Sequence, residues 1–156
     1  MIDFLARLDG IDFRQTAPVR RGAPFIYPYG AEWEASEKAL TGPLPGINPT
    51  MIARAGGLDQ GNICANLADA ERRGMGENIL FLAGSAINSI KNAQGKADPN
   101  VGAEAMTQAL EVHRSGELRD LPIEKHVAAL NEISQSKGYK ALREALKQRY
   151  PGEIEN

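Results

Sequence analysis

The sequence predicts an α/β protein built on a small parallel sheet. Strand-like apolar segments alternate with helical ones, in the order strand, loop, helix, three times over, before further helices follow. Such alternation is typical of parallel strands joined by right-handed crossovers. Three strands are too few to close a barrel of eight, so the pattern leaves two architectures open, a small open sheet or a part of a larger barrel. The length of 156 residues predicts a single domain over 1–156.

The clearest strand is the third, predicted over residues 78–83. Its centre, Ile79–Leu82, is an unbroken apolar run between polar residues and glycine, which predicts a strand buried on both faces. It leads into Gly84 and Ser85, whose small side chains let a backbone approach a ligand closely. Because ligands of parallel sheets sit at the carboxyl ends of the strands, we expect a ligand there. A loop is expected over 86–98.

The remaining elements follow from apolar spacing and from helix-terminal residues. Two more strands are predicted over 11–16 and 50–55. Asp59 is a plausible N-cap for a helix over 60–73, and Asp98 with Pro99 begins another that ends near Ser115. In that helix, Gly102 and Ala103 predict close contact with the sheet. Other helices are predicted over 1–8, 31–40, 123–136 and 139–148.

Small residues follow two consecutive strands of the predicted sheet. Gly56 and Gly57 come after the second strand, and Gly84 and Ser85 come after the third. Backbone N–H groups at such positions can surround a phosphate. The alternative is that these glycines only form tight strand-to-helix turns.

The charged residues allow several interpretations. Arg20 and Arg21 lie in a Gly/Pro-rich loop and would suit a lid over an anionic substrate, although a solvated surface pair is the better interpretation. Arg54, at the end of the second strand, either points into the site or forms a salt bridge elsewhere. A third group is expected to be a solvated helix face: Glu32, Glu34 and Glu37.

Candidate nucleophiles and metal ligands are few. His113 is expected to complement a helix C-terminus, His126 to be a surface or packing residue, and Cys64 to be a small core residue. No dyad, triad or metal-ligand spacing is found. The net charge of −2 gives no indication of a nucleic-acid partner, and no apolar run has the length of a membrane span. A single cysteine fits a reducing cytoplasm.

Three segments together resemble a known family. They are Met-Ile-Ala-Arg-Ala-Gly-Gly at 51–57, Ile-Leu-Phe-Leu-Ala-Gly-Ser at 79–85, and Asp-Pro-Asn-Val-Gly-Ala-Glu-Ala-Met-Thr-Gln-Ala-Leu at 98–110. This succession resembles the C-terminal part of the RuBisCO large-chain superfamily, and within it the RuBisCO-like proteins. The most specific part is Gly-Ala-Glu-Ala at 102–105 with Gln-Ala at 108–109. The resemblance covers most of the chain from Asp9 onward.

The resemblance implies a fold and a set of site residues. The strands would be the sixth, seventh and eighth of a (β/α)₈ TIM-type barrel, followed by C-terminal helices. The family's phosphate-binding glycines fall on Gly56, Gly57 and Gly84, while Ser85 replaces a further family glycine. The family's mobile loop falls on 17–25, where the nearest residues to its catalytic lysine are two candidates for a catalytic role: Arg20 and Arg21.

The chain also departs from the family pattern. Ala55 stands where the family has a phosphate-contacting serine, and the segment 88–95 replaces a His-Pro-x-Gly loop. The family uses Mg²⁺ held by a carbamylated lysine and carboxylates from an earlier strand, and no ligands for it are found in this chain. We therefore expect a fragment, a split gene product or a truncated relative.

The implied chemistry is enolisation of a phosphorylated keto-sugar or sugar acid, of the isomerase, enolase or carboxylase/decarboxylase (lyase) type. The chain alone is expected to be inactive, because it supplies phosphate anchoring without a base or a metal site. The alternative is a non-catalytic α/β binding or assembly module. In either case, exposed sheet edges predict a homo-oligomer or a missing N-terminal half as partner.

Overall fold

A computed structural model of the protein describes residues 2–17, 31–76 and 78–154. The strands are β1 (Phe13–Thr16), β2 (Met51–Ala55) and β3 (Ile79–Leu82). The α-helices are α1 (Ile2–Leu8), α2 (Ala31–Thr41), α3 (Ile63–Arg72), α4 (Gly84–Asn88), α5 (Pro99–Ser115), α6 (His126–Ser136), α7 (Lys140–Arg149) and α8 (Pro151–Ile154). A 3₁₀ turn over Ile123–Lys125 precedes α6. None of the described helices is long and apolar enough to cross a membrane.

The sheet confirms the predicted parallel arrangement. Its order is β1-β2-β3, and both neighbouring pairs are parallel. Phe13 stands opposite Met51 in the first pair, and Ala55 stands opposite Leu82 in the second. The strand bounds are narrower than predicted. In particular, β1 begins at Phe13 rather than at Ile11. The carbonyl of Asp12, just before the strand, still accepts a hydrogen bond from the backbone N–H of Met51.

The two faces of the sheet differ in their surroundings. On one face, Ile52 packs with Leu40, Ala70 and Met75 in a buried apolar cluster. The opposite face keeps its large apolar side chains exposed: Phe13 at 45%, Met51 at 36%, Leu80 at 43% and Leu82 at 46%. We call these four residues the open sheet face. The prediction that Ile79–Leu82 is buried on both faces is therefore wrong, because the described helices cover only alternate side chains of β3.

The larger core lies among the helices. It is formed by α3, α5, α6 and α7 and includes Cys64, Val112, Leu130, Leu142 and Leu146, all fully buried. Removing these apolar side chains from water is the main stabilising contribution. The C-terminal helices are thus part of the principal core.

Several predicted helix boundaries change. The helix predicted over 60–73 begins only at Ile63, because residues 59–62 form a separate turn. In that turn the carboxylate of Asp59 accepts hydrogen bonds from the amides of Gly61 (2.9 Å) and Asn62 (3.1 Å) instead of capping α3. The expected loop over 86–98 contains α4 at its start. The cap of α5 is confirmed, since Asp98 accepts from the amide of Asn100 at 3.1 Å.

Gly102 makes a close contact, but with a helix rather than with the sheet. A Cβ placed on Gly102 would lie 2.0 Å from the carbonyl oxygen of Ile87 in α4. Glycine therefore lets α5 approach the backbone of α4, and α4 separates this part of α5 from β3.

Candidate functional site

The predicted phosphate-binding residues lie at one edge of the sheet. β2 and β3 are parallel neighbours, with Ala55 opposite Leu82. Gly56 and Gly57 follow β2 directly, and Gly84 and Ser85 follow β3 after one further residue. Because the two strands are parallel, these four residues lie at the same end of the sheet. Among the described residues, no hydrogen bond engages the backbone N–H groups of these four residues. We call them the glycine edge.

The backbone of the glycine edge requires glycine at two positions for its conformation. Gly56 and Gly57 have φ angles of 86° and 101°, in the left-handed region that side chains disfavour. Gly84 begins α4 and is not in that region. A Cβ on Gly56 or on Gly84 would meet no atom within 4 Å. The space beside the glycine edge is therefore open.

Polar side chains fix the loop that follows β2. The side-chain amide of Asn62 donates to the carbonyl of Gly57 at 2.8 Å, and its oxygen accepts from the amide of Asp59 at 2.9 Å. The carboxylate of Asp59 also accepts from the Tyr150 hydroxyl at 2.7 Å. The Tyr150 ring lies so close to Gly61 that a Cβ there would be 2.4 Å from it. The chain beyond α7 thus holds the loop that carries Gly57.

A buried glutamine joins this loop to the elements that follow β3. Gln60 is fully buried, and its side-chain amide donates to the carbonyls of Ala86 at 3.1 Å and Gly102 at 3.2 Å. This pair of bonds connects the loop after β2 with α4 and α5. The relative position of the two halves of the glycine edge is therefore restrained by hydrogen bonds as well as by the sheet.

Arg149 brings a positive charge beside Ser85. Its guanidinium donates to the Ser89 hydroxyl at 2.7 Å and to the Ser85 carbonyl at 3.3 Å. Neither Arg149 nor Tyr150 is indicated as a site residue by the sequence. They lie in or just after α7, 64 and 91 residues away from their partners Ser85 and Asp59, and no local pattern indicates such contacts.

Arg54 resolves the alternative that the sequence left open, because it forms salt bridges on the helix-covered face of the sheet. Its guanidinium is fully buried and lies 2.9 Å from Glu37 in α2 and 2.6 Å from Asp69 in α3. It also donates to the backbone carbonyl of Asn66 at 3.2 Å. Arg73 adds a second contact to Glu37 at 2.7 Å. We call Glu37, Arg54, Asp69 and Arg73 the ion cluster.

The ion cluster corrects the expected role of Glu37. The sequence predicts a solvated helix face for Glu32, Glu34 and Glu37, whereas Glu37 is completely buried. Glu34 is exposed as expected, and the side chain of Glu32 lies outside the described part. Glu37 is buried because two guanidiniums satisfy its carboxylate. Composition alone does not reveal these partners.

Asp69 remains ionised in spite of its burial. Burial by itself would raise the pKa of Asp69, but hydrogen bonds from Arg54 and Arg72, together with the charges of Arg54 and Arg73, outweigh it and lower that pKa below 3.8. An acidic group whose pKa is lowered in the folded state stabilises the fold at pH values above its ordinary pKa. This stabilisation is lost as the pH falls through the lowered pKa.

The other residues singled out from the sequence have structural surroundings. Cys64 is buried, and its thiol donates to the carbonyl of Ala109 at 3.3 Å. Burial raises the pKa of this thiol to about 12. Both observations confirm that Cys64 is a core residue. His113 lies in the last turn of α5 and donates from Nε2 to Glu71 at 2.9 Å. His126 is buried, with Nε2 donating to the carbonyl of Leu121, which confirms packing.

The described residues do not fit a magnesium site. No group of three or more histidine, cysteine or acidic side chains is arranged for a metal within the ranges described. The buried carboxylates of Glu37 and Asp69 are both engaged by Arg54. The proposed loop residues Arg20 and Arg21 lie outside the described residues.

Comparison with known proteins assigns no family. No protein-family model matches the chain, and a search of curated proteins finds no match either. The site is therefore interpreted from its own geometry.

The first prediction concerns the ion cluster. Arg54→Met leaves two buried carboxylates, Glu37 and Asp69, with fewer partners, so it should lower the free energy of unfolding by about 3–5 kcal/mol. Arg72→Met is the matched control, because Arg72 also contacts Asp69 but its side chain is 71% exposed. It should cost less than about 1 kcal/mol. Urea unfolding measures both, and equal losses would contradict a central role for Arg54.

The second prediction concerns acid stability. In the wild type, the contribution of Asp69 is present above pH 3.8 and is lost as the pH falls through the lowered pKa of the folded state. Asp69→Asn should therefore be less stable at neutral pH and should show a shallower loss of stability between about pH 5 and pH 2. Urea unfolding across this range measures the slope. Asp9→Asn, at an exposed position, should keep the wild-type slope.

Proposed function

We propose that the glycine edge binds the phosphate group of a small metabolite. The observation that carries the proposal is that two adjacent parallel strands end together, with four backbone N–H groups lacking partners among the described residues. Hydrogen bonds from amides to a phosphate dianion are charge-assisted and stronger than neutral ones. The exposed Ser85 hydroxyl offers a further donor, and Arg149 places a positive charge nearby.

We propose further that the chain is the C-terminal part of a RuBisCO-like (β/α)₈ barrel, with β1, β2 and β3 as its sixth to eighth strands. The open sheet face supports this interpretation, since the inward face of barrel strands is filled with apolar side chains. β1 and β3 each keep one unpaired edge within the described sheet. Additional β/α units would pair with those edges and cover the face.

In this proposal the substrate is a phosphorylated keto-sugar or sugar acid that reacts by enolisation. Removing a proton next to a carbonyl needs a base and a group that stabilises the enediolate. The described residues supply neither, so their role is to anchor the phosphate and fix the substrate's position. The family's Mg²⁺ would be held by residues of the remaining barrel, and Arg20 and Arg21 are the candidates for a catalytic role that the resemblance suggests.

A second candidate function is a non-catalytic assembly module. It is favoured by the same open sheet face, because an apolar surface of this kind commonly marks a protein interface. The two functions differ in their requirement for a phosphate ligand, and the experiments below separate them.

The third prediction tests phosphate binding. Gly84→Val should weaken binding of inorganic phosphate or a sugar phosphate by about tenfold or more, because the side chain would occupy the space a bound anion needs and keep it from the amides. Gly84 suits the test, since its φ is ordinary and its Cβ would meet nothing within 4 Å. Valine there should leave the fold intact. Amide shifts in an NMR titration measure the binding.

Gly76→Val is the matched control for this experiment. Gly76 also has open space around its Cβ, but it lies between α3 and β3, at the opposite edge of the sheet. It should bind phosphate as the wild type does. Absence of localised shifts at Gly56, Gly57, Gly84 and Ser85 in the wild type, at millimolar ligand, would refute phosphate binding and favour the assembly module.

The fourth prediction tests the open sheet face. Leu80→Glu should reduce self-association of the isolated chain at micromolar concentration, because a charge on this face opposes burial in an interface. The fold should persist, since Leu80 is already 43% exposed. Sedimentation velocity measures association. Leu121→Glu, at a leucine that is 36% exposed outside the sheet, is the control. A wild type that stays monomeric would contradict the role of this face in self-association.

A further inference from the structure

A second cavity lies at the amino end of the sheet, away from the glycine edge. Its volume is about 530 Å³, within the range of small-molecule sites. It is bounded by the C-terminal turns of α3 and α5 and by the segment that leads to the 3₁₀ turn. Since α3 runs back from the carboxyl end of β2 towards the start of β3, this end of α3 lies at the edge opposite to Gly56.

Two arginines of the cavity lining have guanidiniums without a described partner. Arg114 and Arg119 both line it, both are exposed, and their side chains make no hydrogen bond or ion pair with any described residue. Each acidic residue of the lining makes a hydrogen bond to another side chain. Asp69 contacts Arg54 and Arg72, and Glu71 contacts His113. Two guanidiniums are therefore available for a ligand.

Helix capping accounts for only one of these two arginines. Arg114 lies in the last turn of α5, where a cation complements the helix dipole. Arg119 lies beyond the end of that helix, after Gly116, which closes it with a left-handed φ of 79°. The dipole effect falls off within the last turn, so it does not explain a second cation facing the same cavity.

The wall of the cavity is apolar and includes a buried histidine ring. Leu118, Leu121 and Ile123 supply apolar surface. His126 lines the same space, is 3% exposed, and donates from Nε2 to the Leu121 carbonyl at 3.1 Å. Its Nδ1 is buried without a partner among the described residues. Burial lowers the pKa of His126, which keeps the ring neutral at pH 7, so it adds no charge to the wall.

We propose that this cavity binds a small organic phosphate, with the phosphate dianion between Arg114 and Arg119 and the organic part against Leu118, Leu121 and the His126 ring. Guanidinium groups match phosphate oxygens in geometry, and two of them match the charge of a phosphate monoester. The apolar wall favours an ester over the free inorganic ion. This site is separate from the glycine edge, and it does not depend on the function proposed there.

Phenyl phosphate is a suitable test compound, since it joins a phosphate dianion to an apolar ring. NMR titration should show saturable shifts in the amides of residues 113–126 and in the His126 ring. Arg114→Gln combined with Arg119→Gln should weaken this binding by about tenfold or more, because two charge-assisted pairs are lost. Inorganic phosphate should bind here more weakly than phenyl phosphate, and benzyl alcohol should not bind.

Two controls make the result specific. Arg143→Gln removes an exposed α7 arginine without a described ion pair and should leave the affinity unchanged. Gly84→Val should also leave it unchanged, which separates this site from the glycine edge. The proposal is overturned if millimolar phenyl phosphate produces no saturable shifts here. It is equally overturned if Arg143→Gln weakens binding as much as the double variant does, since binding would then follow overall charge.

Discussion

The pairing of Arg54 is the constraint around which the sheet and its first helices are arranged. A guanidinium without solvent contact must have all its charge compensated inside the protein. Glu37 from α2 and Asp69 from α3 meet this need on the central strand. Both helices must therefore lie on the same face of β2, and the apolar cluster around Ile52 fills the space beside them. Desolvating these charges costs free energy, and removing one member leaves its partners buried without compensation.

The difference in burial between the two faces of the sheet follows from this arrangement. With α2 and α3 fixed on one face, Phe13, Leu80 and Leu82 lie on the other face and remain partly exposed. The carboxyl end of the strands is also accessible, since a Cβ on Gly56 or on Gly84 would meet no atom within 4 Å. An uncovered apolar face and accessible amides at the end of parallel strands are both expected of a partial barrel, which unites the proposed architecture with the proposed ligand.

The parallel sheet and its order could be predicted from sequence because alternation of strands and helices is a local signal. The glycines after β2 and β3 could be located for the same reason. The burial of individual side chains could be predicted less well. The run Ile79–Leu82 has the same composition whether a second layer covers it or not, and Glu37 resembles any solvated glutamate until Arg54 and Arg73 are placed beside it. Arg149 and Tyr150 were missed because only the tertiary structure brings them to their partners.

The hydrogen bond between Tyr150 and Asp59 affects the order in which parts of the protein fold. It joins residues that are 91 positions apart, and contacts of long sequence separation form late because their loop-closure entropy must be overcome first. During synthesis, the turn that carries Gly57 emerges long before Tyr150 does. The strands can pair early, but the final geometry of this turn is reached only after Tyr150 has left the ribosome. Loss of the Tyr150 side chain would therefore alter a loop that lies 91 positions earlier in the sequence.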